Sequence, residues 1–129
     1  MDAERHYFSI GDMCSQFGVT PRALRFYEDE RLISPERRGT ARLYTDRDRA
    51  RLTWILRGKR VGFSLADIRE LLDLYDLGDH RHTQMTATLE RCRRRIDDLR
   101  RQRHDIDATI HELEVFCALL QDRLDQKEG

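Results

Sequence analysis

Apolar positions recur at helical spacing in four short stretches of residues 7–77, separated by turn-forming residues. Ile10, Met13, Cys14 and Phe17 fall on one face, and Ser9 with Asp12 three residues later reads as a capping box. Gly18 closes this helix, because glycine enters the left-handed conformation without a Cβ clash. Thr20 suits an N-cap and Pro21 the first helical position, where a missing N–H is harmless. The helix that follows is expected to run to about Arg31, with Leu24 and Tyr27 inward. Two short helices joined by a three-residue turn predict a helix-turn-helix.

The period changes in "LISPERRGTARLY". Pro35 stops helical structure, Gly39 supplies a turn, and Arg42, Leu43 and Tyr44 read as a short strand. Residues 33–44 therefore predict a small hairpin, a wing beside the helix pair. Thr45 with Asp48 caps a third helix reaching about Arg60, with Leu52, Ile55 and Leu56 inward. Gly62 ends it, and Ser64 with Asp67 opens a fourth carrying Leu65, Ile68, Leu71, Leu72 and Tyr75 on one face.

Beyond the polar stretch "LGDHRHTQ" the spacing becomes that of a heptad. Met85, Leu89, Cys92, Ile96, Leu99, Arg103, Ile106, Ile110, Leu113, Cys117, Leu120 and Leu124 alternate steps of four and three without a slip. Forty such residues make a rod of roughly 60 Å. A rod this long has little of its own domain to pack on, so pairing with a second copy is favoured over packing along its own head. In an antiparallel pair with full overlap, facing residue numbers add to 209, so that Met85 meets the partner's Leu124 and Cys92 the partner's Cys117. Registers adding to 202 or 216 also satisfy the heptad, at the cost of stranding apolar residues at the ends, and a parallel pair is formally open. A parallel pair sets Arg103 against the partner's Arg103, two like charges in the core. The antiparallel pair sets it beside the partner's Ile106. The expected organisation is a head at 7–77, a linker at 78–84 and a dimerising coiled-coil helix at 85–124: mainly α, with a winged helix-turn-helix head.

Charge sharpens this picture. The chain of 129 residues has 24 basic and 24 acidic residues, and only Lys59 and Lys127 among the basic ones are lysines. Residues 20–60 nevertheless hold twelve basic and six acidic residues, net +6, leaving net −6 elsewhere. Such a field steers a polyanion to one face, and arginine's planar fork suits phosphates and base edges. The runs Arg93–Arg95 and Arg100–Arg101 lie off the seam among Asp97, Asp98 and Asp105, and read as an outer face with intrahelical pairs. Enzyme chemistry has little support: there is no nucleophile elbow, phosphate-cradling glycine loop or clustered carboxylate site. No apolar run nears the roughly 18 residues of a membrane span, no secretory signal opens the chain, and Cys14, Cys92 and Cys117 form no disulfide framework. A cytoplasmic setting without a cofactor is expected.

"FSIGDMCSQFGVTPRALRFYEDERLISP", then "RLY", then "GFSLADIRELLDL" resemble the MerR family of bacterial transcription regulators. That resemblance implies a winged helix-turn-helix on each protomer and dimerisation through an antiparallel coiled coil of the last helix. It implies binding to near-palindromic promoter sites with a long spacer, which the protein bends and untwists so that RNA polymerase engages both promoter elements. Carried over, the second helix enters the major groove with Arg22 near its start. Arg25 and Tyr27 match the family's phosphate-binding pair, and Arg42 and Tyr44 the wing positions that grip the backbone, with core packing behind a polar tip an equal alternative for both tyrosines. Thr20 can offer a hydroxyl and a backbone N–H to phosphate. Arg37, Arg38 and Arg60 are DNA-contact candidates from charge and location. The wing departs from the family's Tyr-Arg-x-Tyr pattern, since Ala41 takes the first tyrosine's place and the loop is shorter. A compact wing of this kind is similar to the subgroup that regulates leucine and isovalerate breakdown.

Cys92 and Cys117 have two readings, small apolar fillers of the seam or a thiol sensor facing across the dimer. The filler reading is favoured. Metal-sensing relatives hold their ion with cysteines at the start of the long helix and after it. Here His80 and His82 stand at the start, and "DHRH" reads as a solvated linker with no metal site.

Overall fold

The computed structural model describes residues 6–75 and 81–127. The head begins with α1 (Ile10–Phe17) and α2 (Pro21–Asp29), continues through β1 (Glu36–Arg38) and β2 (Ala41–Leu43), and adds α3 (Asp46–Arg60) and α4 (Leu65–Tyr75). The last element is α5, Arg81–Lys127, 47 residues long and thus about 70 Å at the α-helical rise. The chain divides into two units at Gln84 and Met85.

Local chemistry fixes the helix ends. Ser9 and Asp12 form the reciprocal capping box of α1, and Gly18 closes it at φ 65°. Thr20 caps α2 through the Ala23 N–H at 3.1 Å, with Pro21 in the first turn. α2 stops at Asp29, short of the expected Arg31, because the chain turns left-handed there. Leu32 N–H reaches the Tyr27 carbonyl and Arg31 N–H the Glu28 carbonyl, with Arg31 itself at φ 60°. This end geometry usually takes glycine. The Arg69 guanidinium donates to the Glu30 carbonyl at 2.6 Å, covering the same helix end from α4.

Asp48 does more than cap α3. Its Oδ2 accepts the Thr45 N–H at 2.9 Å, and its Oδ1 accepts the Ser34 N–H at 3.0 Å, from the segment entering the wing. At 3 % exposure it is a buried carboxylate held by hydrogen bonds. Arg51 donates Nε–H to the Leu32 carbonyl at 2.6 Å, so α3 pins that segment at two points.

The core joins Met13 of α1, Leu24 and Tyr27 of α2, Leu32, Ile33 and Tyr44 around the wing, Leu52 and Ile55 of α3, and Ile68 and Leu72 of α4. α3 and α4 meet at Gly58, where an added Cβ would lie 3.0 Å from the Ile68 side chain. Leu56 is only partly buried at the edge of this cluster.

β1 and β2 pair antiparallel, Arg37 opposite Arg42, across a two-residue turn with Gly39 at φ 61°. The hairpin lies inside the expected span 33–44. Phe8 and Tyr44 extend it by exchanging backbone hydrogen bonds at 2.8 Å each way. The linker expected at 78–84 is corrected in part: 81–84 are the first turn of α5, and 78–80 lie outside the described residues. Gln84 is buried and donates to the Leu71 carbonyl at 3.0 Å, a hydrogen bond that a solvated linker would not make.

Candidate nucleic-acid interface

The helix-turn-helix and the hairpin bring most of the candidate residues onto two elements. On α2, Arg22, Arg25, Phe26 and Asp29 are exposed at helical spacing, while Leu24 and Tyr27 point into the core. Arg22 and Arg25 thus stand on the solvent side of the helix, free of any secondary-structure task. Thr20 spends its hydroxyl oxygen on the Ala23 N–H, leaving its hydroxyl proton for a phosphate.

The wing arginines are tied down. Arg37 Nη2 and Arg42 Nε each donate at 2.8 Å to Glu28, one to each carboxylate oxygen. Burial pushes the Glu28 carboxyl up, but its hydrogen bonds from Arg37 and Arg42 and their charges outweigh this and hold it below its ordinary value. A depressed carboxyl adds stability that is present above the unfolded value near 4.5 and lost as pH falls through the folded one. The clamp is therefore intact at neutral pH. Arg38 is exposed, with its guanidinium 5.3 Å from the Tyr7 ring. Arg60 is exposed in the last turn of α3, and its neighbour Lys59 lies 5.5 Å from the Tyr27 ring.

Burial gives both tyrosines the core-packing role that was the alternative to backbone contact. Tyr44 is 0 % exposed and Tyr27 3 % exposed. The Tyr44 hydroxyl is buried without a partner, and burial, then the Glu28 charge, raises its pKa. It packs in the core at the base of the wing. Tyr44→Phe is accordingly expected to leave DNA affinity unchanged and to stabilise the fold by about 1 kcal/mol, since it removes an unsatisfied buried group. The raised pKa makes wild-type stability fall as pH climbs above about 10, and this loss shrinks in the variant. Melting at pH 7 and 10.5 checks both, and reduced DNA affinity would return Tyr44 to the interface.

Phe26 and Glu28 belong to the sequence motif but carry no role in it, and Lys59 lies outside every motif. Glu28 stands in the quoted "RFYE", but its partners lie 9 and 14 residues away, beyond any local pattern.

On α5, nine large apolar seam residues from Met85 to Leu124 are 44–61 % exposed, a continuous stripe that calls for cover. Val115, Phe116 and Leu119 widen it near the C-terminal end. Off the seam, Arg94 pairs with Glu90 at 2.6 Å and Arg101 with Asp98, as expected for an outer face. Cys92 is half-buried and Cys117 exposed. Among the described residues no group of three or more His, Cys, Asp or Glu is placed to hold a metal; His80 lies outside them. No described helix is long and apolar enough to cross a membrane.

A helix-turn-helix with a hairpin wing, arginines exposed on its second helix and a long apolar-striped helix later in the chain define a winged DNA-binding protein. Family models agree: "MerR HTH family regulatory protein" matches residues 8–74 and "MerR, DNA binding" residues 49–115. The chain is 30% identical over 128 residues to the HTH-type transcriptional regulator ZntR of Escherichia coli (strain K12), covering 88% of this chain and 90% of that protein. It is 32% identical over 127 residues to HmrR of Rhizobium leguminosarum bv. viciae, covering 91% and 98%. Its fold is similar to HiNmlR, a MerR family regulator lacking the sensor domain, solved bound to promoter DNA, with TM-score 0.61, 22% identity, and 79% and 80% covered. The chain belongs to the MerR family and is a DNA-binding transcriptional regulator.

Proposed function

We propose that this regulator binds promoter duplexes as an antiparallel homodimer, with α2 in the major groove and the wing on the flanking backbone. The observation that carries it is the pairing of an arginine-faced α2 with an apolar heptad stripe too exposed to stand alone. Thr20, Arg22, Arg25, Arg37, Arg38, Arg42 and Arg60 supply the contacts; Tyr27 backs Arg25 from the core. The two α5 stalks fix the distance between half-sites, and bending and untwisting of the spacer lets RNA polymerase engage the promoter. The protein acts without catalysis and in the cytoplasm. Its effector is a small molecule, and the compact wing supports kinship with the leucine and isovalerate subgroup.

Binding to a duplex selected by the protein from a random library, titrated with salt, tests this. Arg25→Ala removes one phosphate contact per protomer, so affinity is expected to drop about tenfold or more and the log–log salt slope to flatten by about 2. An unchanged slope removes Arg25 from the interface.

The same dimer places Cys92 beside the partner's Cys117, twice by symmetry. Mild peroxide is expected to convert each facing thiol pair and one H2O2 into a disulfide and two waters, giving a covalent dimer on a non-reducing gel. Cys92→Ser and Cys117→Ser each abolish it, and mixing the two variants restores one link. A cross-link surviving in either variant alone points to parallel pairing.

A further inference from the structure

Glu28 sits on α2, the helix that carries Arg22 and Arg25, yet its carboxylate faces the wing. Its side chain is 14% exposed, and each oxygen holds an arginine from a different strand, Arg37 on β1 and Arg42 on β2. Those arginines are Cα partners in the hairpin register, so two like charges stand opposite each other and repel unless an anion lies between them. Neither is used up by the clamp. Arg37 gives one terminal nitrogen and keeps 60% of its side chain exposed, while Arg42 gives only Nε and keeps both terminal nitrogens. A flexible arginine loses rotamer freedom when it grips a phosphate, and one already held in place loses less.

We infer that Glu28 is the positioning residue of the DNA interface, holding Arg37 and Arg42 at a fixed offset from the exposed face of α2 so that helix and wing meet the duplex as one surface. This rests on the DNA-binding reading above and deepens it. The role has a sign that distinguishes it from plain electrostatics. A carboxylate beside phosphates repels them, so deleting it tightens binding if charge is all that matters. Positioning demands the reverse.

The test compares the wild-type dimer with Glu28→Ala, Glu28→Gln, Arg42→Ala and the Glu28→Ala/Arg42→Ala double variant. Each is titrated against a duplex selected by the wild type from a random library and against a scrambled duplex. Helix content and dimer mass are matched first; the isosteric Glu28→Gln serves if Glu28→Ala folds poorly. Glu28→Ala is expected to bind the selected duplex about tenfold or more weakly despite losing a negative charge, as two arginines per protomer must now be ordered on binding. Glu28→Gln falls between, scrambled-duplex affinity holds or rises, and the loss in the double variant is smaller than the sum of the two single losses. Equal or tighter binding of the selected duplex by both Glu28 variants, or additive losses in the double variant, overturns the positioning role. If the wild type selects no duplex at all, the DNA-binding reading falls first, and this inference with it.

Discussion

Leu99→Asp is expected to turn the protein into a monomer at micromolar concentration and to abolish selective DNA binding. Leu99 is 44% exposed on a single protomer, in the middle of the α5 stripe. In the antiparallel register it faces the partner's Ile110, so the substitution buries an uncompensated carboxylate twice per dimer. Each such charge costs about 3–5 kcal/mol, enough to raise the dimer dissociation constant at least about a thousandfold. DNA binding then fails with the arginines intact, because selectivity comes from two heads engaging half-sites together. Sedimentation velocity reads the first effect and duplex titration the second. A variant that stays dimeric at micromolar concentration would show that α5 is covered by something else.

The second large effect is on the head. Asp48→Ala strands the Ser34 and Thr45 N–H groups, which Asp48 accepts at 3.0 and 2.9 Å, the second being its half of the α3 capping box. The two unsatisfied donors together cost about 3 kcal/mol. For a head of this size that corresponds to a melting temperature lower by about 15 °C. Asp48→Asn keeps one carbonyl acceptor and is expected to lose about half as much. Calorimetry at fixed protein concentration, in the reduced state, decides it, and a drop of under 3 °C for Asp48→Ala would mean water replaces the carboxylate at no cost.

What was legible in the sequence is local chemistry. Ser9 with Asp12, Thr20 with Pro21, and Thr45 with Asp48 lie within three residues of each other and make the caps their types imply. The heptad stripe was legible for the same reason, since its period is a property of one helix. Interactions that cross the fold were not. Glu28 meets Arg37 and Arg42 only because the wing folds back on α2, and Arg69 reaches Glu30 across 39 positions. Tyr44 is a different case: its motif left backbone contact and core packing equally open, and the pairing with Phe8 that turns it into the core is a contact across the fold. Arg31 is a third case, where the Leu32–Tyr27 hydrogen bond dictates a left-handed residue at a position the sequence filled with arginine.

The most direct measurement is the mass of the complex between wild-type protein and its selected duplex, by light scattering in dilute salt. Two protomers on one duplex, with the same two-protomer mass for the free protein, is the expected result. One protomer per duplex, or a free protein that is monomeric at micromolar concentration, contradicts a pair of arginine-faced heads joined through α5.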